Sequence, residues 1–320
     1  MIALPKLIFI LIIIIILILY FIFAPQIPQK DSLDFSTRHL MYKNKILTIS
    51  DIPDYLEFIE SSDRYILPTE KKKAGFYNSA LKEQTDCVLL YFHGFHSSCH
   101  EGRELIKDLS KRLEANYYLA RFPGHGVLNR ETSHLHVNLY HYLRDVYESL
   151  IIASLLGKKI ILVGSSTGCT YAIWACSTFR RKFNIHSCIF FSPNIELYGI
   201  VRFLSKVLAW PLGEYFFSVF RDKILVNDCI VDHNIALQLL GILTIVRKIK
   251  KSTFKIPLLM FTCTGDTIVS HKAAMDFFNQ IGSKHKHVEK LNMNVHQIIN
   301  RIDLKDYFIE TIMRFLPNII

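Results

Sequence analysis

The stretch 160–171 reads Ile-Ile-Leu-Val-Gly-Ser-Ser-Thr-Gly-Cys-Thr-Tyr and constrains the fold more than any other part of the chain. Its apolar opening is rich in β-branched residues and too short for a helix, so it predicts a buried strand. Beyond Gly168 the chain takes on helical character. Between the two lies G-x-S-x-G, with Ser166 held between Gly164 and Gly168. A strand that turns at once into a helix lifts such a serine onto a tight, strained elbow. Glycines on both sides remove the Cβ atoms that would collide where strand and helix approach.

The rest of the chain repeats this grammar. Apolar runs at 88–92, 117–120, 188–191 and 258–263 predict further strands, with a short one near 287–291. Helical spacing falls between them at 101–113, 139–151 and 273–281, with a closing helix at 304–316. Strands that are continuously apolar, rather than alternating with polar residues, belong in a sheet covered on both faces. The expected fold class is therefore α/β, a mostly parallel central sheet with helices on both faces. The alternation breaks at about 194–256, an unusually greasy insertion with a helical pattern in its second half.

The N-terminus predicts a transmembrane helix ahead of this body. Residues 7–23 are all apolar or Tyr, and no charge appears between Lys6 and Lys30. As one helix this stretch spans about 30 Å of hydrocarbon. The competing reading is a secretory signal peptide. The apolar run is long for one, and Phe23-Ala24-Pro25-Gln26 is a poor cleavage site. The expected organisation is an anchor at 1–25, a juxtamembrane linker at 26–45, and an α/β domain at 46–320 carrying the insertion. Localisation would be single-pass membrane. Lys6 ahead of the span slightly favours a body outside the cytoplasm. The seven cysteines lack C-x-x-C spacing and fit buried thiols in a reducing compartment, so the two clues oppose each other.

A formal charge of +10 arises from short, scattered basic clusters such as Arg180-Arg181-Lys182. No nucleic-acid-binding signature accompanies them, so nucleic acid is not an expected partner. His134, His136 and His141 lack the carboxylate or cysteine spacing of a metal site, and no metal or cofactor is expected. Oligomeric state stays open.

In sheets of this kind chemistry gathers beyond the carboxyl ends of the strands. Ser166, Asp266 and His296 fall there in the chain order nucleophile, acid, base. His296 would take the serine proton and return it to the leaving group. Asp266 would fix the imidazole tautomer and stabilise its cation. The N–H groups of Phe95 and Thr167 would form the oxyanion hole, with His93, Gly94, Gly164 and Gly168 shaping the supporting loops. Plainer readings stand beside these roles: Asp266 as the cap of the following helix, His296 as a surface histidine near His285 and His287.

Five landmarks in order carry a family resemblance: Phe92-His93-Gly94-Phe95, Phe122-Pro123-Gly124-His125-Gly126, Gly164-Ser165-Ser166-Thr167-Gly168, Thr264-Gly265-Asp266 through Val269, and His296. Over roughly residues 85–316 the chain resembles the α/β-hydrolase family. The similar branch holds monoacylglycerol lipases, lysophospholipases, short-lid carboxylesterases and proline iminopeptidase-like peptidases. The resemblance implies Ser166 as nucleophile, Asp266 as acid and His296 as base, with Phe95 and Thr167 as the oxyanion hole. It also implies that 194–256 forms the cap over an acyl pocket. Ser165 stands where many relatives have His, and Thr167 where Met is common; both bear on pocket shape. The greasy cap favours a lipid-like or small-molecule ester substrate. A peptidase would need a cap acid for the substrate amine, for which Glu196 and Glu214 are available. An inactive scaffold on the same fold is the reading from another class.

Overall fold

The computed structural model describes residues 8, 10–15, 35, 39–61, 64–95, 97–128, 137–208 and 233–318. Its strands are β1 (Met41–Tyr42), β2 (Lys45–Ile46), β3 (Lys73–Gly75), β4 (Thr85–Phe92), β5 (Asn116–Leu119), β6 (Gly157–Ser165), β7 (Ile185–Phe191), β8 (Leu258–Cys263) and β9 (Lys286–Leu291). Apart from the β1–β2 hairpin, they form one seven-stranded sheet ordered β3-β5-β4-β6-β7-β8-β9. Every neighbouring pair in it is parallel except β3 with β5.

Side chains alternate across the sheet, and each set has its own core. Val88, Leu90, Phe92, Ile160, Leu162, Cys188, Phe190, Leu258 and Met260 point to one face. They meet α1 (Ile52–Ser61), α3 (Leu139–Leu156), α4 (Thr167–Phe179) and α7 (His271–Gln280). Leu89, Tyr91, Ile161, Val163, Ile189, Phe191, Leu259 and Phe261 point to the other. They pack on α2 (Arg103–Arg112) and α8 (Lys305–Phe315). Burial on both faces explains why the central strands read as unbroken apolar runs.

Between β7 and β8 lie α5 (Gly199–Leu208) and α6 (His233–Lys248), so two helices of the 194–256 insertion are described. Within the expected 26–45 linker, Phe35 packs against Tyr147, Trp174 and Phe179, with ring centroids 5.3, 5.7 and 5.4 Å away.

The single-pass membrane localisation expected from the sequence is corrected. Among the described residues no helix is long and apolar enough to cross a membrane. In the 7–23 stretch only Ile8 and residues 10–15 are described, and they are helical. Residues 10–15 cover about 9 Å, against about 30 Å of hydrocarbon. The expected placement of the body outside the cytoplasm loses its basis with the span. The rest of the 1–25 anchor assignment lies outside the described residues.

Candidate active site

β6 sits at the centre of the sheet, and its last residue leads directly into Ser166. The serine adopts φ 50° and ψ −115°, outside the regions that ordinary residues favour. Surrounding bonds hold it there. Ser166 N–H donates to the Phe191 carbonyl at 2.9 Å, and the Ser166 carbonyl accepts from Cys169 and Asn194 N–H, each at 3.1 Å. Gly168 is required by contact: a Cβ there would lie 2.0 Å from the Phe92 carbonyl oxygen. Gly164 faces a similar limit, with Cys169 N 2.8 Å from where its Cβ would stand.

His296 reaches this serine from the far end of the sheet, beyond β9. Its Nε2 lies 2.9 Å from Ser166 Oγ, and its Nδ1 lies 2.7 Å from Asp266 Oδ2. The three side chains meet although 130 residues separate serine from histidine. Asp266 is 6 % exposed and commits its other oxygen to the chain itself, Oδ1 accepting from Ile268 N at 2.8 Å and Val269 N at 3.0 Å. It does not cap the following helix; Ser270 does, its Oγ accepting from Ala273 N at 3.1 Å. The surface reading of His296 also falls, since it bridges serine and aspartate, whereas His287 pairs with Glu289 at 2.7 Å.

The loop after β4 lies against the elbow. A Cβ on Gly94 would sit 3.3 Å from Ser166 Cβ. His93 supports this loop from beneath. Its Nε2 accepts from Phe122 N at 3.0 Å, so Nδ1 carries the hydrogen and donates to the Gly94 carbonyl at 2.7 Å. Burial pushes its pKa down to about 3, with the nearby Arg121 charge adding to the shift. The ring is thus neutral and works as a brace. Thr167 is the first residue of α4, where backbone N–H groups face outward without helical partners. Phe95 follows Gly94 on this loop and Thr167 opens α4, so the two expected oxyanion donors lie on separate elements.

Two residues that sequence reasoning passed over complete the surroundings. Glu101 is buried, and its carboxylate accepts from Tyr91 OH, Gly94 N and Ser165 OH at 3.0, 2.7 and 3.0 Å. Asn194 donates from Nδ2 to Thr167 Oγ1 at 3.2 Å, while its carbonyl accepts from Thr170 OH at 2.6 Å. No sequence signal marks Glu101, because Ser165 lies 64 residues away.

Among the described residues no cluster of His, Cys, Asp or Glu could hold a metal ion. His141 lies at the start of α3, where its Nδ1 accepts from Asn138 N at 3.2 Å. His134, His136 and Glu214 lie outside the described residues.

An elbow serine bonded to a histidine, a buried acid behind it and a mostly parallel sheet between two helical layers define an α/β-hydrolase. Residues 83–303 match the model of the serine aminopeptidase S33 family of hydrolases, and the chain belongs to that family. Its fold is shared with solved lipases and esterases. A metagenome-derived lipolytic enzyme superposes with TM-score 0.62 at 16 % identity, covering 79 % of this chain and 99 % of that one. Monoglyceride lipase from Saccharomyces cerevisiae gives TM-score 0.60 at 15 % identity, covering 77 % and 90 %. Monoacylglycerol lipase from Paleococcus ferrophilus gives 0.56 at 19 % identity, covering 77 % and 97 %. No curated protein sequence matches the chain.

Proposed function

We propose that the protein hydrolyses carboxylic esters with apolar, lipid-like acyl groups, as lysophospholipases, monoacylglycerol lipases and carboxylesterases do. The observation that carries this reading is the wall beside the oxyanion loop. Leu197, Leu239 and Leu243 form a small apolar cluster, joined by Phe95 and Val201. An acyl chain can pack against these apolar side chains, whereas a charged peptide would lose its hydration beside them without compensation. The insertion 194–256 is read as the cap of the 46–320 domain, supplying this wall.

In this mechanism Ser166 Oγ attacks the ester carbonyl while His296 Nε2 takes its proton. Asp266 holds the Nδ1 hydrogen and balances the imidazolium charge. Phe95 and Thr167 N–H groups stabilise the oxyanion. His296 then protonates the departing alcohol, and water activated by the same ring releases the acid. No metal or cofactor is needed for these steps.

The peptidase reading draws on the family, but of its two candidate cap acids Glu196 is already engaged, and Glu214 lies outside the described residues. Glu196 is ion-paired with Arg202 and lies 3.9 Å from Arg247, so its charge is already balanced. A fluorophosphonate probe and a paired substrate panel test the proposal. Wild type should be labelled and Ser166→Ala should not, and p-nitrophenyl esters should outpace aminoacyl anilides. An unlabelled, folded wild type would argue for the scaffold reading, and faster anilide cleavage for the peptidase.

A further inference from the structure

The proton relay and the oxyanion loop are on separate elements, and a single buried carboxylate ties the loop to the nucleophile. Glu101 is 4 % exposed and carries no salt-bridge partner among the described residues, yet three donors converge on it. Its Oε2 accepts from Gly94 N, the residue before Phe95, and from Tyr91 OH within β4. Its Oε1 accepts from the hydroxyl of Ser165, the residue before Ser166. The next residue, Gly102, donates its N–H to Asn300 Oδ1 at 3.3 Å, in the turn that follows His296. One bend of chain therefore touches the oxyanion loop, the elbow and the histidine loop.

We propose that Glu101 is the positioning residue of the oxyanion hole: its carboxylate fixes the Gly94–Phe95 backbone relative to Ser166 by bonding both Gly94 and Ser165. This rests on the reading of Ser166 as nucleophile. A carboxylate suits the task because it offers two oxygens and up to four acceptor directions, enough for three donors from three directions. Backbone N–H groups stabilise an oxyanion only when held about 3 Å from its final position, and a displacement of about 1 Å can cost about 100-fold in rate. Ser165 thereby gains a function that its small side chain alone does not suggest.

The test measures p-nitrophenyl ester hydrolysis and inhibition by a long-chain trifluoromethyl ketone, which forms an oxyanion on the serine. Active sites are counted by fluorophosphonate labelling and folding is followed by Tm. Glu101→Ala should lose about 100-fold in kcat per labelled site with KM within about threefold of wild type. Ketone affinity should weaken in proportion to kcat/KM. Glu101→Gln, which keeps one acceptor oxygen, should recover part of both. Ser165→Ala cuts only the tie to the elbow and should lose about tenfold, so it carries the test if the Glu101 variants do not fold. A purely structural role would lower Tm and the labelled fraction while leaving kcat per site and ketone affinity unchanged. That outcome in any folded variant overturns the inference, whereas an unlabelled wild type overturns the nucleophile assignment instead.

Discussion

Asp266 divides its carboxylate between His296 and its own loop: Oδ2 meets His296 Nδ1 at 2.7 Å while Oδ1 receives two backbone N–H groups. The loop bonds fix the acid, and the acid fixes the ring. Asp266→Asn keeps an acceptor for the loop but turns an amide toward Nδ1, favouring the wrong tautomer. We expect kcat to fall by about ten thousand-fold. Circular dichroism and Tm should stay close to wild type. A loss below tenfold would remove Asp266 from the mechanism.

Gly168 lets α4 pass close to the end of β4. A methyl group there would fall 2.0 Å from the Phe92 carbonyl oxygen and 2.7 Å from that of His93, both backbone atoms that cannot swing aside. Gly168→Ala should therefore cost about 3 kcal/mol of stability. It should also slow fluorophosphonate labelling of any folded fraction, because the shift is relayed to Ser166. Urea unfolding and labelling rate measure the two effects.

A buried ion pair secures the second motif loop of the sequence, residues 122–126. Arg121 bonds both oxygens of Glu60, through Nε at 2.8 Å and Nη2 at 2.9 Å, and donates from Nη1 to the His125 carbonyl at 2.8 Å. Burial alone would raise the Glu60 pKa, but the Arg121 hydrogen bonds and charge hold it below the ordinary value. Glu60→Ala leaves the guanidinium buried and unpaired, and should cost about 3–5 kcal/mol. The double variant Glu60→Leu, Arg121→Met should recover part of that loss in urea titrations. A single-variant cost under about 1 kcal/mol would show that water replaces the carboxylate.

His93 makes stability depend on acid. Its folded pKa of about 3 lies below the ordinary 6.5, so between these values the unfolded chain binds the extra proton and stability falls as pH is lowered. Below about 3 both states are protonated and no further loss arises from this ring. From pH 7 to pH 5 the difference amounts to about 2 kcal/mol. His93→Gln, neutral throughout, should lose about that much less than wild type over the same interval. Equal losses would mean that the ring is protonated in the folded state.

The elements that carry the fold were legible because each is a local pattern. Unbroken apolar runs such as Val88-Leu89-Leu90 mark strands buried on both faces, and the 139–156 helix shows its apolar stripe in its spacing. The two glycines of the elbow announce a close approach of backbones. The apolar N-terminal run was a local pattern too, but it led to a membrane span that no described helix provides.

By itself the sequence determined which residue types stand where strands end, and hence that Ser166, Asp266 and His296 could meet. Only the tertiary structure decided that they do, because the contact depends on how β6, β8 and β9 are ordered and how far their loops reach. It alone revealed Glu101 between Gly94 and Ser165, and Ser270 rather than Asp266 as the helix cap. The reason is physical. Periodicity records which face of an element avoids water, whereas a hydrogen bond across 64 residues depends on a distance that no local pattern encodes.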